Sequence, residues 1–310
     1  WRCSQPESTQ LQPGVWAKMS VQRGTKRQRS GDFTDTRPEI HVRSEWGSLL
    51  DRSPRAHTAS CRGVGSHKIW LVDELLSSDE CGRLLSRAEA HGFGTTNYEP
   101  SYRGNLRLTT IDASLAEAVW ARIQPFIPHT LTLRKPDCES ERAALWWDHY
   151  PHAEGEWEAY GLNECWRLAK YCAGDRFLCH CDEAFVASNP EERLDTVEQM
   201  SMISVNIYMN GGFEKGRTRF FLSDDWLQQL EPIRDDCGEI RYHAREHGAA
   251  PDLTVVPAAG RCLLFQQPPG QCYYHDGEEL GSGCKYLFRS DVMYRRTRRG
   301  RSALSRPHGR

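Results

Sequence analysis

Short strand-like segments dominate the second half of this 310-residue chain. From residue 146 onward, apolar and β-branched runs alternate with Gly, Pro, Asn and Asp, the residues that end strands and form turns. The segments of this form are 166–171, 177–182, 202–209, 217–222, 253–257, 261–266, 273–275 and 285–294. Two predicted helices precede them. The pattern therefore predicts an α+β domain whose β part is a sandwich or barrel.

Each of the two predicted helices begins at a capping-box sequence, Ser or Thr followed three residues later by Glu or Gln. The first box is Ser77–Glu80, and its helix should end at Gly92. The second box is Ser114–Glu117, and its helix should stop near Pro125 or Pro128.

Both ends of the chain are poor in large apolar residues, and only 38% of all residues are hydrophobic. Such segments cannot bury enough surface to offset the entropy lost on ordering. We therefore predict a disordered basic arm over 1–65, a folded domain over 66–295 and a disordered Arg-rich tail over 296–310. Within the domain, 66–145 is the helical part and 146–295 the strand-rich core.

Charge, hydropathy and cysteine spacing exclude several classes of function. The net charge of −2 gives no overall attraction for nucleic acid, and there is no apolar run of about 18 residues that could span a membrane. The start of the chain has no apolar stretch typical of a secretion signal. The twelve cysteines are scattered, with no C-x-x-C pair. We therefore expect reduced thiols, a cytoplasmic or nuclear location, and neither a membrane nor a nucleic-acid partner.

A His-x-Asp sequence at the end of one strand candidate is a candidate metal site. Residues two apart on a strand point to the same face, roughly 6.5–7 Å apart, so His180 and Asp182 can reach one ion. A lone His-x-Asp arises often by chance, but His275 directly follows a later strand candidate. A sandwich can bring that strand beside the first. Two His and one carboxylate would then hold one face of an octahedral iron and leave three positions open.

Two further residues have the spacing of a carboxylate-binding pair. Lys285 follows His275 by ten residues, and Tyr171 precedes His180 by nine. A buried Lys there could pair with the distal carboxylate of a dicarboxylic cosubstrate, and the Tyr hydroxyl could donate to the same group. Taken singly, Lys285 is more often a surface residue and Tyr171 a core aromatic.

The motifs follow one another in a recognisable order. They are Tyr171–Asp182, Tyr208–Asn210, Gly216–Phe220, Pro257–Phe265, His275–Gly277 and Gly283–Lys285. In this order they resemble the prolyl 4-hydroxylase-like branch of the 2-oxoglutarate/Fe(II) dioxygenase superfamily, over about residues 71–294. The resemblance implies a double-stranded β-helix (jelly-roll) core with supporting N-terminal helices.

The resemblance also implies roles for individual residues. By the family pattern, the iron ligands, and so the catalytic centre, are His180, Asp182 and His275. Lys285 and Tyr171 would hold 2-oxoglutarate, Thr218 would line the cosubstrate pocket, and Arg289 is an alternative partner for the carboxylate. The implied cofactors are Fe(II), 2-oxoglutarate and L-ascorbate (vitamin C). The implied reaction uses dioxygen to hydroxylate an unactivated C–H bond, with succinate and CO2 as coproducts.

The substrate stays open at this stage. A prolyl residue of a protein or peptide follows from the resemblance, yet the peptide-binding elements of prolyl hydroxylases are not recognisable, and a small molecule is an alternative. Departures from the family pattern are the cysteines on either side of His180 and the insertion 224–250 between core strands. The acidic segment 183–199 would be a lid that attracts a basic peptide or, by default, a solvated loop.

Three other interpretations compete with the oxygenase. His243–His247 has the His-x-x-Glu-His form of inverted zinc peptidases, which requires a helix. Cys179, His180 and Cys181 could bind zinc, although strand alternation turns the middle residue away from its neighbours. A non-catalytic binding module could keep the fold without turnover.

Overall fold

The computed structural model describes residues 38–51, 59–135, 147, 150, 153–187, 198–223, 230–234, 240–244 and 250–297. The helices are α1 (Ser78–His91) and α2 (Ala113–Ile123), with short 3-10 turns at Trp46–Leu49 and Gln124–Phe126. The strands are β1 (Ile40–Arg43), β2 (Ser60–Gly63), β3 (Ile69–Asp73), β4 (Gly94–Thr95), β5 (Leu106–Ile111), β6 (Thr130–Leu133), β7 (Gly155–Leu162), β8 (Cys165–Cys172), β9 (Phe177–His180), β10 (Gln199–Tyr208), β11 (Glu214–Lys215), β12 (Thr218–Phe221), β13 (Leu230–Arg234), β14 (Ile240–Ala244), β15 (Leu253–Val255), β16 (Cys262–Gln266), β17 (Tyr274–Gly277), β18 (Leu280–Ser282) and β19 (Cys284–Arg296).

Two facing sheets form the core of the fold. The larger sheet contains the run β8-β19-β10-β16, and the smaller one the run β9-β17-β12-β15. Along the chain, consecutive core strands alternate between the sheets, except that β12 and β15 pair within the smaller one. This order is that of a double-stranded β-helix, so the predicted fold class is confirmed. All eight predicted strand segments coincide with a core strand.

The two helices pack against the larger sheet, and their starts follow side-chain capping. Ser77 accepts from the backbone N–H of Glu80, whose carboxylate accepts from the N–H of Ser77, so the first predicted capping box is confirmed. The second prediction was wrong by two residues, because Asp112 caps α2 by accepting from the N–H of Leu115. An Asp at the cap needs no Glu three positions later, so the box pattern missed it.

Ordered structure begins earlier than the predicted start near residue 66. β1 pairs in parallel with β5, and Trp46 is buried against the helices. These short segments are too polar to fold alone, but the edge of an existing sheet supplies their hydrogen-bond partners. The remainder of the predicted N-terminal arm (1–37 and 52–58) and most of the tail (298–310) lie outside the described residues.

Apolar packing divides into two main clusters. The larger one lies between the helices and the larger sheet and includes the fully buried Trp157 and Trp166. The second lies between the two sheets and contains Phe220 and Phe265. The second cluster packs under β9 and β17, the strands that position the predicted metal ligands.

The insertion 224–250 is partly strand. β13 and β14 form a hairpin whose second strand pairs with β9. His243 therefore lies on a strand rather than a helix, which removes the geometry that a His-x-x-Glu-His zinc site requires; Glu246 and His247 lie outside the described residues. Within the described ranges, no helix has both the length and the apolar character needed to cross a bilayer.

Candidate metal centre

Pairing of β9 with β17 brings the three predicted ligands together. His180 and His275 are directly opposed in this antiparallel pair, with ring centroids 4.3 Å apart. Asp182 follows the end of β9, and its Oδ1 lies 3.7 Å from Nε2 of His180. One ligand atom from each of the three residues lies within 4.8 Å of the others. A single cation can therefore be reached by two imidazoles and one carboxylate.

Hydrogen bonds to the backbone fix both imidazoles in the tautomer that a metal requires. Nδ1 of His180 lies 2.8 Å from the carbonyl oxygen of Leu178, and Nδ1 of His275 lies 2.9 Å from that of Tyr273. A carbonyl only accepts, so each Nδ1 carries the proton and each Nε2 keeps its lone pair. Burial, together with the neighbouring His275, holds the pKa of His180 well below its usual range.

Asp182 is held through one oxygen, which leaves the other available. Ser204 donates to Oδ2 at 2.6 Å, and the guanidinium of Arg289 lies 3.2 Å from the same oxygen. Burial would raise the pKa of Asp182, but the charge of Arg289 and the other groups around it hold it well below its usual range. The carboxylate is therefore ionised, and Oδ1 is free to coordinate.

A buried hydrogen-bond network behind Asp182 was not predicted from the sequence. Gln267 donates to Ser204 at 2.9 Å and to Asp291 at 2.8 Å. Ser201 in turn donates to Gln267 at 2.7 Å. The network fixes the hydroxyl that holds the carboxylate. The only sequence signal for it is the alternation that places Ser204 on the inward face of β10.

Aromatic rings enclose the two imidazoles. Phe177 stacks on His180 with centroids 3.6 Å apart. Phe220 and Phe265 lie 5.3 and 4.8 Å from the ring of His275. Such an apolar lining limits water around the ligands and restrains the orientation of their rings.

Lys285 lies on β19, in a buried pocket lined by aromatic rings. It is the cross-strand partner of Tyr171, and its Nζ lies 5.3 Å from the Tyr171 ring and 5.7 Å from the Tyr208 ring. Its one hydrogen bond among the described residues is to the carbonyl of Gly216, at 2.6 Å. Burial lowers the pKa of Lys285 to about 8. Thr218 completes this pocket, with its Oγ1 2.7 Å from the Tyr208 hydroxyl.

At the edge of the Lys285 pocket, the backbone conformation at position 216 favours glycine. Gly216 has φ +67°, and a Cβ there would lie 2.7 Å from Leu280. Any other residue would be strained and would press into the pocket wall. The carbonyl that accepts from Lys285 therefore belongs to a turn whose positive φ favours glycine at position 216.

Arg289 lies away from this pocket. It shares an inward-facing side of β19 with Lys285, four residues along, but its guanidinium contacts Asp182 and Asp291. In the structure it is a partner of the metal-site carboxylate rather than a neighbour of the Lys285 ammonium.

One prediction about the cysteines was wrong. Cys181 and Cys272, 91 residues apart, form a disulfide with their Cα atoms 6.1 Å apart. Their long separation hid the pair from any local spacing pattern. The bond joins the segment after His180 to the segment before His275. It also withdraws Cys181 from the alternative Cys-His-Cys zinc site.

Comparison with known proteins gives the following similarities. No family model matches the chain, and a search of curated proteins found no match. Among solved structures, the viral collagen prolyl hydroxylase of Paramecium Bursaria Chlorella virus-1 gives a TM-score of 0.39 at 14% identity, covering 75% of this chain and 99% of that one. A prolyl-4-hydroxylase of Pseudomonas putida gives 0.38 at 19% identity, covering 75% and 94%. A prolyl hydroxylase of Trichoplax adhaerens gives 0.39 at 14% identity, covering 78% and 89%.

All three of these solved structures are prolyl hydroxylases. The fold itself is established by the strand order of the two sheets and not by these similarities. The structure is thus a double-stranded β-helix with a buried His-Asp-His group between β9 and β17.

Proposed function

We propose that this protein is an Fe(II)- and 2-oxoglutarate-dependent dioxygenase that hydroxylates an unactivated C–H bond. The observation that carries the proposal is the convergence of His180, Asp182 and His275, with their ligand atoms within 4.8 Å of one another. Fe(II) with 2-oxoglutarate and dioxygen supplies the oxidant when bound, and succinate and CO2 are the coproducts. L-ascorbate is the expected supporting reductant.

The ligand set suits Fe(II) better than a purely structural metal. Two neutral imidazoles and one carboxylate make a three-residue set, whereas closed structural zinc sites use four protein ligands, mostly thiolates. The hydrogen bonds to the Leu178 and Tyr273 carbonyls prevent either ring from turning its Nδ1 toward the ion. Ser204 and Arg289 hold the carboxylate so that Oδ1 is presented.

The Lys285 pocket suits the distal carboxylate of 2-oxoglutarate. A buried ammonium is costly unless an anion pairs with it, and no carboxylate among the described residues lies within salt-bridge distance of Lys285. The Tyr171 hydroxyl, which has no hydrogen-bond partner among the described residues, lies in the same pocket as a second donor. An incoming carboxylate would neutralise the charge of Lys285 and accept hydrogen bonds from both Lys285 and Tyr171.

For the substrate, a prolyl residue of a protein or peptide is proposed first, because the motif order resembles that branch of the superfamily. A small molecule is the second candidate. Of the segment predicted as a lid, residues 188–197 lie outside the described residues.

To test the oxygenase activity, purified protein is incubated with Fe(II), 2-oxoglutarate and ascorbate. Succinate is measured, and peptide and metabolite libraries are searched for a mass gain of one oxygen atom. His180→Ala should abolish succinate release, whereas the exposed His41→Ala on β1 should leave it unchanged. Iron binding without any 2-oxoglutarate consumption would favour the binding module. Zinc in the purified protein with no affinity for 2-oxoglutarate would overturn the oxygenase.

A further inference from the structure

Four arginines lie together beside the metal centre, and we refer to Arg103, Arg107, Arg167 and Arg289 as the arginine cluster. Arg167 and Arg289 are cross-strand partners, so they share the inward face of the larger sheet. Arg107 pairs with Ala169, two residues from Arg167, and so lies on the same face. The register of three strands therefore brings three of the four guanidinium groups to one side of the sheet.

The fourth guanidinium approaches the metal ligands from the loop before β5. The guanidinium carbon of Arg103 lies 4.4 Å from the centre of the Phe177 ring, which stacks on His180. The half-exposed ring of Tyr98 lies 5.1 Å from Arg103 and 5.7 Å from Arg107, and so bridges the two. The Nε of Arg103 donates to Oδ1 of Asn105 at 2.7 Å. Stacking on the aromatic faces leaves the terminal N–H groups of both guanidinium groups available.

Positive charge exceeds negative charge in this cluster. Glu39 lies 3.6 Å from Arg107, while Asp291 is shared by Arg167 and Arg289 at 3.6 and 3.5 Å. Among the described residues, no carboxylate lies within 4 Å of Arg103. Asp182, the remaining acid, is the proposed metal ligand. Burial lowers the pKa of Arg107 to about 10, and the charge of Arg103 is the largest of the neighbouring contributions that lower it.

Two guanidinium donors in the cluster are buried without an acceptor. The Nε atoms of Arg107 and Arg289 have no hydrogen-bond partner in the described part of the chain. A buried charged donor without an acceptor is expensive, and native structures rarely keep one unless a ligand, an ion or an ordered water is its partner. Three of the guanidinium groups also act on the buried Tyr171, where their charge opposes the rise in pKa that burial causes. The cluster beside the metal centre thus contains two guanidinium donors without an acceptor.

We propose that the substrate of this site carries a small oxyanion group, a carboxylate or a phosphate, which binds to Arg103, Arg107 and Arg289. A planar guanidinium presents paired N–H groups that match either oxyanion. The inference rests on the proposed function, because it concerns the substrate of the same centre. It restricts the substrate class from any compound with an oxidisable C–H bond to compounds that carry an anionic group near the oxidised carbon.

The experiment uses the full chain loaded with Fe(II) and 2-oxoglutarate without oxygen, so that the carboxylates of the cosubstrate are already placed. Inorganic phosphate and acetate are titrated by calorimetry. Saturable binding of at least one is expected, and Arg103→Gln should weaken it by about tenfold or more, since a hydrogen bond to a charged group is lost. Arg103→Gln with Arg107→Gln should weaken it further.

The control variant is Arg295→Gln. Arg295 is exposed on β19, the strand of Arg289, and pairs with Glu158, so the anion affinity of this variant should equal that of the wild type. Tighter phosphate binding assigns a phosphorylated substrate, and tighter acetate binding a carboxylic acid. The proposal is overturned if neither anion binds, or if Arg103→Gln binds both like the wild type. Since Arg103 and Arg107 are both only partly buried, each single variant should fold, and the Arg103→Gln result does not depend on the double variant. Failure to bind 2-oxoglutarate in the loading step would instead count against the oxygenase assignment.

Discussion

Replacement of Ser204 by alanine is the most direct measure of how the metal centre is positioned. The hydroxyl is fully buried and donates to Oδ2 of Asp182 at 2.6 Å. A hydrogen bond to a charged acceptor contributes roughly 1.5–3 kcal/mol. Arg289 remains 3.2 Å from the same oxygen and would retain part of that support. We therefore expect a loss near the lower end of the range, about 1.4 kcal/mol, which is a tenfold weaker Kd for Fe(II).

The assay is anaerobic competition for Fe(II) or Mn(II) against a chelating dye. Ser290→Ala is the matched control, because Ser290 is equally buried on β19 but donates at 2.6 Å to the neutral carbonyl of Asn163. Both variants should lose some unfolding free energy, and only Ser204→Ala should lose metal affinity.

Two results would refute this reasoning. If Ser204→Ala kept the wild-type Kd within about twofold, the backbone at the end of β9 alone would orient Asp182. If Ser290→Ala weakened metal binding equally, the effect would come from general loosening of the sheet rather than from the hydrogen bond to the carboxylate.

Three further predictions concern charge and covalent links. Burial lowers the pKa of Lys285 to about 8, so 2-oxoglutarate affinity, measured by calorimetry, should fall as pH rises above about 8; Lys285→Met should bind weakly at every pH. Without cosubstrate, unfolding takes up this proton, so urea denaturation should show wild-type stability rising relative to Lys285→Met between pH 8 and 10.5. Replacing Cys181 and Cys272 by serine opens a link across 91 residues and should cost about 4–5 kcal/mol in non-reducing denaturation. Arg122→Leu leaves Glu80 buried and unpaired and should cost about 3–5 kcal/mol at pH 7. Despite its burial, hydrogen bonds from Arg122 and the backbone lower the pKa of Glu80 to about 2, so the wild type should lose this advantage as pH falls from 4.5 toward 2.

Features encoded within one strand or one turn could be predicted from the sequence. Alternation placed His180 and Asp182 on one face, and the Ser77–Glu80 box located the start of α1. Both depend on residues within three positions of each other. The start of α2 was misplaced because two capping signals, Asp112 and Ser114, lie two residues apart, and the sequence does not show which one the packed helix uses.

Features that depend on register between distant strands could be predicted only where the family resemblance supplied them, as for His275 beside His180 and Lys285 beside Tyr171. The sequence shows that Lys285 and Arg289 share a face of β19, but not that Arg289 meets Asp182. Cys181 and Cys272 meet for the same reason as the metal ligands, namely that β9 and β17 are neighbours.

The same dependence on register explains why the arginine cluster was hidden in a chain with a net charge of −2. Its members come from the loop before β5 and from β5, β8 and β19, and no two are adjacent in sequence. Like charges directly opposite on neighbouring strands are destabilising, as for Arg167 and Arg289. A sheet that was optimised only for stability would place an acid or an apolar residue at one of these positions. Arg289 supports Asp182 and Glu39 lies 3.6 Å from Arg107, but no carboxylate among the described residues lies within 4 Å of Arg103, and the Nε donors of Arg107 and Arg289 find no acceptor there. An anionic group on the substrate accounts for all three, because it supplies the acceptors that the sheet itself lacks.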